Sequence, residues 1–251
     1  MIKILAIGNS FSQDATAYLY SIAEAAGVDI KVVNLYIGGC SLKTHWENIA
    51  GDLALYEYEL NGQYTGQMIS IREALEEEAW DYVTMQQVSG DSGIIDTYYP
   101  YILDISKYVS KHAPSAEQLL HQTWAYEIDS DHPDFSNYDC DQGNMYEAIE
   151  EVYRILAERL SLRVIPCGKV IQELRSNPAF NYGKGGHSLC RDGFHMDLIY
   201  GRYALAATWL EVILKESVLV NRFVPPALDG NDVDKSIIQL IKNTVHEICN
   251  S

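Results

Sequence analysis

The amino-acid sequence predicts an α/β fold, a three-layer α/β/α sandwich around a central parallel sheet of about five strands. Three observations predict it. Apolar runs too short for helices recur along the chain and close on glycine or polar residues. Helical patterns separate them at the spacing of βαβ units. The 251 residues, 47% of them hydrophobic, are enough to bury one sizeable core.

The first run is Lys3-Ile4-Leu5-Ala6-Ile7, which ends at Gly8-Asn9-Ser10 and leads into a helical pattern from Asp14 to Ala26. Asp29 to Ile37 is rich in Val and Ile and reads as the second strand, closed by Gly38-Gly39-Cys40-Ser41. Residues 51–65, with Tyr56, Tyr58 and Tyr64, are expected to form an irregular excursion. Gln67 to Ala79 is expected to be helical, and Asp81 to Gln87 is the third strand. A helix over Tyr98 to His112 is broken by Pro114. Glu117 to Trp124 follows as the fourth strand, and Ala125 to Gln142 as a long acidic insertion. Asn144 to Leu160 reads as helix, Arg163 to Pro166 as the fifth strand and Lys169 to Arg175 as a short helix. Pro178 and the glycines of residues 176–194 suit a loop that wraps a site. Leu198 to Lys215 is a core helix, Val218 to Asp232 is irregular, and Asp234 to Cys249 is the terminal helix. No linker composition or repeat divides the chain. One flavodoxin-like domain over 1–251 is expected, with insertions at 51–65 and 125–142 and a helical extension at 218–251.

The net charge of −17 excludes a nucleic-acid or anionic-membrane partner, since a phosphate surface needs a basic footprint. Cys40, Cys140, Cys167, Cys190 and Cys249 are spread along the chain without a CxxC pair and read as mostly free thiols. No apolar stretch reaches the ~20 residues needed to span a bilayer, and the N-terminal run is too short for a signal-peptide core. As it stands, the chain is expected in the cytoplasm, although a trimmed secreted form would look the same.

Two short segments carry chemistry. Ser10 sits where the first strand turns into a helix, at the sheet edge where open α/β folds place ligands. The helix N–H groups there favour a developing negative charge. Ser10 or Ser12 could equally be no more than the helix cap. Far along the chain, Arg191-Asp192-Gly193-Phe194-His195 puts a carboxylate and an imidazole in one short loop. An acyl-transfer serine needs such a pair: the imidazole takes the hydroxyl proton and the carboxylate fixes its tautomer. The other histidines show no ligand spacing, so no metal or organic cofactor is expected.

Gly8-Asn9-Ser10-Phe11 together with Asp192-x-x-His195 resembles the first and last motif blocks of the SGNH/GDSL hydrolase superfamily, over roughly residues 2–215. A branch of unknown function with the same G-N-S-F-S opening and D-G-F-H close is similar. The resemblance implies a serine esterase with Ser10 as nucleophile, His195 as base and Asp192 as its partner. It also implies an oxyanion hole from the backbone N–H groups of Ser10 and Gly39. The family's third donor is an Asn in G-x-N-D after strand 3. This chain has Met85-Gln86-Gln87-Val88-Ser89 there, so a Gln amide is the substitute, with Gln87 preferred to Gln86.

Trp46 and Trp124 follow strand ends and are candidates to flank the apolar faces of sugar rings. The expected substrate is therefore a small-molecule or oligosaccharide ester, with acetyl or another short acyl group removed from a carbohydrate. An acidic insertion over the site would disfavour strongly anionic substrates. Two other readings stay open. One is a nucleotide- or flavin-binding module that cradles phosphate at Gly8 to Ser12, and the other is a carbohydrate-binding relative without catalysis.

Overall fold

The computed structural model describes residues 1–228 and 232–251. Of the 218–232 stretch expected to be irregular, residues 229–231 lie outside the described residues.

Among the described residues the strands are β1 (Ile2–Gly8), β2 (Ile30–Tyr36), β3 (Tyr56–Leu60), β4 (Gln63–Ile69), β5 (Tyr82–Met85), β6 (Glu117–His121) and β7 (Arg163–Ile165). They form one sheet in the order β4-β3-β2-β1-β5-β6-β7. The run β2-β1-β5-β6-β7 is parallel throughout, in line with the five strands expected. The other two strands are an antiparallel hairpin on the β2 edge. That corrects two expectations. Residues 56–60 are strand, not irregular excursion, and Gln67 to Ile69 is strand, not helix. The turn explains why: Asn61 and Gly62 both have positive φ (52° and 78°) and join Leu60 to its partner Gln63 in a two-residue loop.

The helices are α1 (Ser10–Thr16), α2 (Leu19–Ala25), α3 (Leu42–Gly51), α4 (Ile71–Glu77), α5 (Tyr101–His112), α6 (Gln142–Leu160), α7 (Cys167–Ser176), α8 (Tyr200–Trp209) and α9 (Lys235–Cys249). The expected first helix is thus two short ones. α4 starts behind a capping box in which Ser70 and Glu73 satisfy each other's backbone N–H groups. α1, α2, α7, α8 and α9 pack among themselves, while α3, α4 and α5 form a second group. The sheet lies between as the middle layer, its central strand β1 almost wholly buried from Ile4 to Gly8. All five cysteines are free thiols. Among the described residues, no helix is long and apolar enough to cross a membrane.

This strand order positions the site. The chain leaves β1 for β2 on one side, then crosses back to β5 on the other. At such a reversal the loops leaving the carboxyl ends diverge and open a crevice. Ser10, Gly39 and Ser89 follow β1, β2 and β5, at that crevice.

Candidate active site

Asn9, rather than a serine, caps α1. Its side-chain Oδ1 accepts the Phe11 N–H at 3.0 Å. Ser10, the first residue of the helix, is therefore freed from capping, and its half-buried side chain lines a cleft of about 300 Å³. Gly39, Ser89, Phe194 and His195 line the same cleft. Ser12, the other possible cap, is buried with its Oγ 2.6 Å from Asn34 Oδ1 and does not reach the cleft. A phosphate cradle in this turn would need the amide of Phe11, which Asn9 already occupies. Larger cavities exist, one of about 570 Å³ between Arg163 and Cys249, but its lining includes neither Ser10 nor His195.

The loop from Cys190 to Met196 closes on itself through an antiparallel bridge between those two residues, with the Arg191 N–H donating to the His195 carbonyl at 2.9 Å. Gly193 takes φ 86°, a left-handed conformation unfavourable for other residues. The turn folds Asp192 back over the loop. Its Oδ1 accepts the His195 and Phe194 N–H groups at 2.8 and 3.3 Å, and its Oδ2 lies 2.7 Å from His195 Nδ1. Burial pushes the Asp192 carboxyl up, but these hydrogen bonds outweigh it and hold the group below the usual carboxylate range. An ionised Asp192 accepts a hydrogen bond from Nδ1–H, which keeps the proton on that nitrogen and leaves the Nε2 lone pair of His195 free. Ser10 and His195, 185 positions apart in the chain, thus share one cleft with Asp192 directly behind the imidazole.

Gly39 reaches the cleft in a positive-φ turn (64°), and its amide donates to no other described group. The other sequence candidates do not arrive. Gln87 is fully buried. Its Nε2 donates to the Thr97 carbonyl and hydroxyl, both at 3.1 Å, and its Oε1 accepts the N–H groups of Leu42 and Val88. Every hydrogen-bonding site of that amide is therefore occupied, and Gln87 is not available as an oxyanion donor. Gln86 is committed too, donating to Asn9 Oδ1 at 2.8 Å while its Oε1 bonds His121 Nδ1. Trp124 is wholly buried. It stacks on Phe11 with ring centroids 4.0 Å apart and donates from Nε1 to the Phe194 carbonyl at 2.8 Å, so it supports the His195 loop and offers no surface to a ligand. Trp46 packs on the core from α3, outside the cleft.

Sequence reasoning missed Ser89, whose hydroxyl lies 2.8 Å from the Tyr126 hydroxyl, and also His132 and Asp134. The last two come from the acidic insertion, which does reach over the cleft. His132 packs edge-on to Phe194 at 4.7 Å, and its Nδ1 accepts the Asp134 N–H at 3.2 Å. The only early signal for them was the composition of residues 125–142.

The protein-family model described as "Domain of unknown function (DUF4886)" matches residues 3–247. The chain belongs to the DUF4886 family. A DUF4886 family protein from Bacteroides uniformis is 36% identical and has a TM-score of 0.88, the alignment covering 98% of this chain and 93% of that one. The DUF4886 chain also has the fold of the SGNH hydrolases. A protein from Slackia heliotrinireducens assigned as an SGNH hydrolase is 20% identical (TM-score 0.57; 84% of this chain, 97% of that one). An acetyl xylan esterase, AlAXEase, is 16% identical with the same TM-score, over 84% of this chain and 100% of its own. No curated protein matches the sequence.

Proposed function

We propose that this DUF4886 protein is a serine esterase that removes acetyl or other short acyl groups from a neutral, carbohydrate-like alcohol. The observation that carries the reading is the Asp192–His195 pair beside Ser10 in a single cleft. In this mechanism Ser10 Oγ attacks the ester carbonyl while His195 Nε2 takes its proton. The imidazolium is stabilised by Asp192 and returns the proton to the leaving alcohol, and water then releases the acyl group by the same steps. The amides of Ser10 and Gly39 receive the oxyanion. Each such donor is worth about 3 kcal/mol, or roughly 100-fold in rate.

Two features support the substrate class. None of the described residues lining the cleft is Lys or Arg, and Asp134 is among them, so the cleft offers no fixed cation to pair with a carboxylate or phosphate. The similarly folded acetyl xylan esterase acts, by its name, on an acetylated polysaccharide. The test is a fluorophosphonate probe on wild type and Ser10→Ala, followed by hydrolysis assays on acetylated sugars and short p-nitrophenyl esters. Labelling of the wild type alone, with acetate release, is the expected result. Equal labelling of both proteins, or none of either, would overturn the reading in favour of a binding module.

A further inference from the structure

Among the buried charges that the mechanism above does not use, Asp14 lies nearest in the chain to Ser10. Asp14 lies on α1, four residues and about one turn beyond Ser10, so the two share a side of the helix. It is completely buried. Its carboxylate accepts Arg191 Nη1 at 3.0 Å from both oxygens, Arg202 Nε at 2.8 Å, and the Met196 backbone N–H at 2.9 Å. Arg191 and Met196 flank Asp192 and His195 in the same loop, and Arg202 stands in the first turn of α8. Arg191 Nη1 also donates to the Met196 carbonyl, closing the loop from inside.

We propose that Asp14 is a positioning residue. Its carboxylate fixes the 190–197 loop against α1, so that the helix carrying Ser10 and the loop carrying His195 move as one body. The inference rests on the esterase reading of the cleft. A buried carboxylate with two arginines adds little net stability over a well-packed apolar group, because desolvation offsets the attraction, whereas removing one partner is costly. Such a cluster is a poor way to gain stability and an effective way to fix a register. What it fixes here is the meeting of segments far apart in sequence. Phe11, beside Ser10, makes a second link through Trp124 to the Phe194 carbonyl, so α1 grips the loop from two sides.

The test compares wild type, Asp14→Asn and Arg191→Gln by amide hydrogen exchange and by steady-state kinetics on a short p-nitrophenyl ester. Arg191 reaches the surface, and its loss leaves Arg202 on the buried carboxylate, so the second variant is expected to keep the fold. In both variants the amides of 190–197 are expected to speed up at least about tenfold more than those of β1, whose exchange reports the global loss of stability. A misplacement of about 1 Å costs on the order of 100-fold, so kcat should fall by about that factor in Asp14→Asn and about tenfold in Arg191→Gln, with KM within about threefold. Unchanged exchange in the loop of both variants would overturn the proposal, as would a loss confined to KM or a kcat within twofold of wild type despite a loosened loop. The exchange arm does not depend on catalysis. A wild type without esterase activity would therefore defeat the reading of the cleft, while the loop measurement would still decide whether Asp14 holds 190–197.

Discussion

Asn9 sits where three strand ends meet. Its Oδ1 accepts from Phe11 and from Gln86 Nε2, and its Nδ2 donates to the Cys40 carbonyl at 3.0 Å. One amide thus caps the helix carrying Ser10, ties it to the end of β5, and pins the loop carrying Gly39. In the G-D-S-L opening of the superfamily that Gly8-Asn9-Ser10-Phe11 resembles, Asp stands at this position. A carboxylate could keep the first two contacts but would face the Cys40 carbonyl with an acceptor. Asn9→Asp is therefore expected to cost about 1–3 kcal/mol in urea denaturation, the penalty of an unmatched buried polar group. It should also lower kcat by loosening Gly39. A variant as stable and active as wild type would show that the departure from Asp at this position is neutral. Gln87 illustrates the limit of alternation arguments. Its face of the strand was readable from the sequence, but its capture by Thr97, Leu42 and Val88 depends on loops whose paths no local pattern encodes.

At the scale of elements, α1 and the His195 loop are joined by Trp124, which follows β6. Trp124→Phe preserves the stack on Phe11 but strands the Phe194 carbonyl. It should cost about 1–2 kcal/mol, a fall in Tm of about 3–6 °C for a chain of this size, with kcat reduced more than KM is raised. Trp124→Ala should cost about 3–5 kcal/mol. A Trp124→Phe protein with an unaltered Tm would mean that the indole N–H contributes nothing. The buried role of this tryptophan was not readable from its place at a strand end, because an exposed platform and a buried support have the same sequence signature. The hairpin was readable. Asn61-Gly62 between Tyr-Glu-Tyr-Glu-Leu and Gln-Tyr-Thr-Gly-Gln is a strong short-range turn signal, masked by the polar and exposed character of β4, where only Ile69 is buried. A strand without a buried face carries no alternation for a pattern search to find.

At the scale of the whole molecule, the parallel strands and both motif segments were legible because buried parallel strands are continuous apolar runs and because Ser10, Asp192 and His195 lie in short distinctive strings. The strand order was not, since crossover direction is set by packing. The same packing places two neutral histidines at the heart of the structure, which gives a prediction for the entire fold. His45 has Nδ1 2.8 Å from the Tyr56 hydroxyl and no partner for Nε2, while His121 bonds Gln86 through Nδ1 and likewise leaves Nε2 unpaired. Burial lowers the pKa of each to about 3. The unfolded chain binds protons at these positions below about pH 6.5, where the folded chain does not, so stability rises with pH across this range. The contribution is intact above about pH 6.5 and is lost progressively as the pH falls towards 3. Between pH 7.5 and pH 5 each histidine should remove ~2 kcal/mol of stability, about 4 kcal/mol together. Urea denaturation at the two pH values measures the total. In His45→Gln the difference should shrink by about half, because His121 is then the one of these two buried histidines that remains. Equal stability at both pH values, or an undiminished difference in the variant, would mean that the fold admits the proton and that these side chains are not held neutral by burial.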